Sequence, residues 1–131
     1  MTPTARSMKY LHDHGYIACR VEQRLHMPKS PFPITKDAFG FGDLLVAKVG
    51  SPSYVDVDVS HGPPAIYREP GQIALVQVTS GSNHNARKEK IAAEPLAAKW
   101  KEAGGIIILH SWAKKGPRGK RKKWTLREEV L

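Results

Sequence analysis

The chain has 131 residues, of which 40% are hydrophobic and 25% charged, with a formal net charge of +9 and a single cysteine. That length suits one compact domain, 1–131, able to bury roughly two-thirds of its unfolded surface without a disulfide or a cysteine zinc cluster. The start carries no apolar signal core and no apolar run approaches 18 residues, so the sequence predicts no membrane partner and a reducing cytoplasm.

The opening reads as a helix: Thr2 or Thr4 can cap it, Pro3 suits its first turn and Gly15 stops it. A strand follows from Tyr16 to Glu22, with Ile17, Cys19 and Val21 on one face and Tyr16, Ala18, Arg20 and Glu22 on the other. Cys19 reads as a small core residue. Gln23 to Gly42 contains Pro28, Pro31 and Pro33 and reads as a long irregular connection with one short paired segment. Asp43 to Val49 is apolar almost throughout, as a strand covered on both faces would be. The alternation of Tyr54-Val55-Asp56-Val57-Asp58-Val59 predicts an exposed hairpin arm.

Ile73 to Thr79 is a further buried strand, followed by a turn at Ser80-Gly81-Ser82-Asn83 and a helical stretch from Asn85 to Ala103 that Pro95 bends or restarts. Gly104-Gly105 ends it, Ile106 to Leu109 forms a buried strand, and a last strand, Lys123 to Glu128, makes an edge hairpin. A helix crossing over between parallel strands, after a meander, gives a mixed α/β sheet with an added C-terminal hairpin strand.

The positive charge is local. Lys114, Lys115, Arg118, Lys120, Arg121, Lys122 and Lys123 lie between Ala113 and Trp124 with no acid among them, and removing them takes the net charge from +9 to +2. Such a loop (113–124) binds polyanions by releasing their counterions, and nucleic acid is the usual intracellular polyanion. Trp112 and Trp124 flank it and are candidates for stacking.

Two neighbouring strands carry polar residues where packing does not ask for them. Asp43 enters one. Gln77 and Thr79 point to one face of the other. Glu22 closes the first strand. Together they form a polar cluster at one edge of a sheet. Ser82, Asn83, His84, Arg87 and Lys88 open the second helix beside it, where a helix N-terminus can hold phosphate.

This order of elements, with an acid entering the second strand and x-Gln-x-Thr ending the third, resembles the PD-(D/E)XK nuclease superfamily, nearest its Holliday-junction-resolvase-like and small phage branches. The resemblance spans about Thr4 to Leu109. It implies a restriction-endonuclease-like fold with an αβββαβ core and a nuclease that hydrolyses DNA phosphodiester bonds using Mg²⁺ or Mn²⁺. It also implies branched, flap or junction DNA as substrate and a homodimer. Carried over by position, Asp43 is the metal-ligating aspartate, Gln77 replaces the second acid, Thr79 replaces the lysine, and Glu22 is the acid contributed near the first helix and strand. The implied metal ligands are Asp43, Gln77, Glu22 and the Val78 carbonyl. Lys36, Lys88 or Lys90 is the candidate replacement cation. Two further readings compete: a non-catalytic DNA-binding protein on the same fold, supported by Gln77 and Thr79, and a basic RNA-binding protein in which only the 113–124 loop works.

Overall fold

A computed structural model of the chain describes residues 1–25, 28–29, 31–50, 52–54, 66–68 and 71–131. In chain order the elements are α1 (Pro3–Asp13), β1 (Ile17–Arg20), β2 (Gln23–Leu25), β3 (Ile34–Lys36), β4 (Leu44–Lys48), β5 (Pro52–Tyr54), β6 (Ile66–Arg68), β7 (Gln72–Ser80), α2 (His84–Ala92), α3 (Pro95–Glu102), β8 (Ile106–Lys115) and β9 (Lys123–Val130). A mixed five-stranded sheet, ordered β1-β4-β7-β8-β9, is the scaffold, and β2-β3 and β5-β6 are separate two-stranded pairs. All neighbours in the large sheet are antiparallel except β7 and β8, which α2 and α3 connect in parallel. The proposed arm at Tyr54 to Val59 lies beyond Tyr54 outside the described residues.

Local chemistry explains where the helices begin and end. The Thr2 hydroxyl accepts the Ala5 N–H at 3.2 Å, which makes Thr2 the cap, and Pro3 occupies the first turn of α1. The helical stretch breaks before Pro95, which cannot donate to a preceding turn and instead starts α3, with the Glu94 side chain accepting the Leu96 N–H.

The helices sandwich only part of the sheet. On one face α1 packs Leu11 against Leu44, Val46, Ala74, Val76 and Ile108. On the other, α2 and α3 bring Ile91 and Ala97 onto Leu75, Ile107 and Phe41. That second layer covers β8 and most of β7 but leaves β1, β4 and the start of β7 bare, so Ile17 is 74% exposed, Ile73 58% and Leu45 37%. Two expectations fail for this reason. Cys19 is exposed, because the core takes Tyr16 and Ala18 from the opposite face of β1. The apolar run of β4 is covered fully on one face only, with Leu44 and Val46 inside and Leu45 partly in solvent.

Strand directions place four chain ends together. The start of β4 and the ends of β1, β7 and β8 share one edge of the sheet.

Candidate metal centre

Asp43 stands just before β4 but is held as though within it. Its N–H donates to the Val76 carbonyl at 2.9 Å, and its own carbonyl accepts the Val21 N–H at 3.0 Å. Leu44 pairs with Val76, so Asp43 falls opposite Gln77 on the face that carries Leu75. The Gln77 Nε2 donates to Asp43 Oδ2 at 2.8 Å and the Val78 N–H donates to the same oxygen at 2.7 Å. Asp43 is 5% exposed, Gln77 4% and Thr79 8%.

The segment before Asp43 adds a residue that spacing alone does not reveal. Ala38 and Gly42 exchange backbone hydrogen bonds of 2.8 and 2.9 Å, closing a three-residue turn over Phe39, Gly40 and Phe41. Gly40 takes φ 80°, and Phe39 takes φ 54°, a left-handed backbone that costs a non-glycine residue roughly 1–2 kcal/mol. Burial of Phe41 and ring contacts of Phe39 with Phe41 and Trp100 hold the turn. Its register sets Asp37 opposite Asp43. Glu22, just beyond β1, completes the group: ligand oxygens of Glu22, Asp37 and Asp43 all lie within 4.8 Å of one another.

Three carboxyls this close repel when ionised. Burial is the main force pushing the Asp43 carboxyl up, to about 8, with the hydrogen bond and charge of Asp37 and the charge of Glu22 adding to it. The Val78 N–H pulls the other way and does not prevail. Among the described residues none of the three acids has an ion-pair partner, since the four ion pairs lie elsewhere. A divalent cation fits this donor set: hard oxygen ligands, a net negative charge, and one carboxylate already oriented by two N–H donors.

Gln77 turns its amide nitrogen to Asp43 and, at 3.5 Å, to the Val78 carbonyl. It thereby positions Asp43. Val78 contributes its N–H to Asp43, with its carbonyl facing the Gln77 amide, so it too is an anchor. Glu22 and Asp43 do meet, and Asp37 takes the third place. The exposed Lys36 adjoins Asp37 in a depression also lined by Val21, Gln23, Ala38 and Phe39, whereas Lys88 is engaged with Glu129 at 2.9 Å.

The other nominated residues divide. Ser82 and Asn83 are exposed in the 3-10 turn Gly81–Asn83, and neither caps α2 with its side chain. Arg87 is half-buried on α2. His84 cannot meet a nucleic acid: it is 1% exposed, with Nδ1 on Ser111 Oγ at 2.7 Å and Nε2 on Glu129 at 3.0 Å. His110 is its counterpart on the opposite face, bonded to Ser7 at 2.9 Å and Glu128 at 2.7 Å. Each set has the composition of a nucleophilic triad, but Ser7 and Ser111 are buried beyond reach of a substrate.

The seven bases of the hairpin, Lys114, Lys115, Arg118, Lys120, Arg121, Lys122 and Lys123, are all exposed, and none forms an ion pair among the described residues. The two tryptophans differ: Trp112 is half-buried and Trp124 is 44% exposed. Trp112 donates to Ser7 Oγ at 2.8 Å, and the Trp124 ring carries the Arg6 guanidinium at 4.4 Å and the Lys114 ammonium at 5.3 Å. No helix among the described residues is long and apolar enough to cross a membrane.

The chain matches no family model, no curated protein and no solved structure.

Proposed function

We propose that the protein is a metal-dependent nuclease of restriction-endonuclease-like fold that hydrolyses DNA phosphodiester bonds. One observation carries this reading: in a chain of net charge +9, three carboxyls gather at one sheet edge and, among the described residues, none of them has an ion-pair partner. Such a cluster stores repulsion unless a proton or a divalent ion relieves it.

Glu22, Asp37 and Asp43 would hold Mg²⁺ or Mn²⁺. The ion would polarise a phosphate and lower the pKa of a bound water for in-line attack. The chain's own part is positioning. Gln77 and the Val78 N–H fix one Asp43 oxygen and leave the other free to ligate. The Asp43 carboxyl gives up its proton as it becomes a ligand, so loading is favoured toward alkaline pH. Thr79, two residues beyond Gln77 on the same strand face, offers the hydroxyl nearest the place where the superfamily has its lysine. The basic hairpin, leaving the same sheet edge at the end of β8, supplies sequence-independent attraction for the phosphate backbone.

The test is a gel assay on labelled single-stranded, duplex, flap and four-way-junction DNA with Mg²⁺, Mn²⁺ or EDTA. Cutting that requires metal and disappears in Asp43→Asn supports the nuclease and names its substrate structure. A second reading, a DNA-binding protein without catalysis, has one observation in its favour: neutral Gln77 and Thr79 stand where the superfamily has an acid and a lysine. Tight binding without cutting under either metal would select it.

A further inference from the structure

Beside the acids, between the end of β1 and the β2-β3 hairpin, lies a groove of about 320 Å³ lined by Arg20, Glu22, Arg24, Pro33 and Thr35. Arg20 is the last residue of β1, one pairing step from Asp43, and Arg24 sits opposite Thr35 in the hairpin. Glu22 stands between the two arginines in the chain, yet it forms no ion pair with either. Its carboxylate oxygen belongs to the cluster with Asp37 and Asp43. Among the described residues neither guanidinium has an ion-pair partner. The groove therefore offers two uncompensated forks of N–H donors and a threonine, with carboxylates on its rim.

Planar, bidentate donors of this kind suit a phosphodiester, whose two non-bridging oxygens they match in spacing and charge. The groove lies at the β1 side of the acids and the basic hairpin at the β8 side. With strand order β1-β4-β7-β8, three interstrand gaps separate them, roughly 14 Å. A strand crossing the sheet edge is thus gripped on both sides of the acids.

We infer that the Arg20-Arg24 groove is a phosphate subsite for the DNA backbone next to the reacting phosphodiester. The site accordingly takes an internal bond of a continuous strand. This deepens the nuclease reading and rests on it for the meaning of "reacting", but the subsite itself can be tested without cleavage.

The experiment measures binding of a fluorescently labelled DNA oligonucleotide by anisotropy in EDTA, across a salt series. Wild type is compared with Arg20→Ala/Arg24→Ala, with Arg20→Lys/Arg24→Lys, and with Lys99→Ala/Lys101→Ala, which removes the same charge from the exposed side of α3. The expected result is about a tenfold loss of affinity for the double alanine variant and a salt slope shallower by about two contacts. The double lysine variant should recover the slope but only part of the affinity, because lysine keeps charge and loses the fork. Equal losses from the groove and α3 pairs, or no loss from the groove pair, overturn the subsite. A loss confined to an RNA oligonucleotide of the same sequence overturns its assignment to DNA. If wild type never cuts while the groove pair weakens binding, the nuclease reading falls and the subsite stands. If metal-dependent cutting is found and the groove pair binds as wild type does, the reverse holds.

Discussion

Three of the buried polar residues on or against this sheet, His84, His110 and Asp43, are accommodated in opposite ways. Around β8 and β9, His84 and His110 each sit between a serine and a glutamate, every ring nitrogen partnered, one set on each face. At the β4-β7 edge, Asp43 is also buried and hydrogen-bonded, yet its nearest ionisable neighbours are two more acids. The histidine sets are complete within the chain and fasten β9 to α1 and α2. The carboxyl cluster is incomplete within the chain. Buried polar groups that satisfy one another stabilise a fold, whereas buried like charges call for a cation from outside.

Substitutions at the two kinds of site should separate accordingly. The largest effect is expected from Asp43→Asn, which should lower metal-dependent cutting by on the order of 10³-fold by removing the central ligand. It should leave DNA affinity in EDTA within about twofold. Comparable cutting by the variant would break the comparison at its centre.

The same substitution should stabilise the metal-free protein at alkaline pH. The folded Asp43 carboxyl titrates near 8, against 3.8 for an ordinary aspartate, so between those values the native state binds the extra proton. The Asp43 contribution to wild-type stability should therefore fall as pH rises from about 4 to 8. At pH 9 Asp43→Asn should be more stable by on the order of a few kcal/mol, measured by urea unfolding in EDTA. Mn²⁺ should raise the wild-type Tm more at pH 8 than at pH 6. Parallel pH profiles of wild type and Asp43→Asn in EDTA would remove the electrostatic argument for a metal.

His110→Phe tests the other side. It should cost about 2 kcal/mol by stripping hydrogen bonds from buried Ser7 and from Glu128, with metal-dependent cutting unchanged. Burial holds the His110 pKa below its ordinary 6.5, with Glu128 opposing. At this residue the unfolded chain therefore protonates first, and the His110 contribution to stability should decline as pH falls below 6.5. The phenylalanine variant should lack that part of the decline.

Gln77→Ala sharpens the distinction between ligand and anchor. Asp43 keeps only the Val78 N–H, and Mn²⁺ affinity by calorimetry should fall 10- to 100-fold, as for loss of an orienting partner. The smallest effect belongs to the hairpin. Neutralising Lys120, Arg121, Lys122 and Lys123 should weaken binding to all DNA sequences alike and reduce the salt slope by up to about four, without altering metal affinity.

The order of elements was legible because its signals are local. Thr2, Pro3 and Gly15 bound α1, Pro95 splits the second helical stretch, and the β7-helix-β8 crossover follows from element lengths. Asp43 and Gln77 were recognisable as polar interruptions of apolar strands, and antiparallel pairing of β4 with β7 set them opposite each other. Asp37 was not, although Asp37-Ala38-Phe39-Gly40-Phe41-Gly42-Asp43 holds the signal: a three-residue turn with Gly40 at positive φ puts its two aspartates face to face.

By itself the sequence determined periodicity, punctuation and the excess of positive charge, which depend on residues a few positions apart. Only the tertiary structure decided which face of β1 is core, because a period of two yields two faces without saying which a helix will cover; Cys19 is outside for that reason. It alone paired His84 with Glu129 across 45 positions and His110 with Glu128 across 18. It alone gathered Glu22, Asp37 and Asp43, since long-range register, not spacing along the chain, brings like charges together.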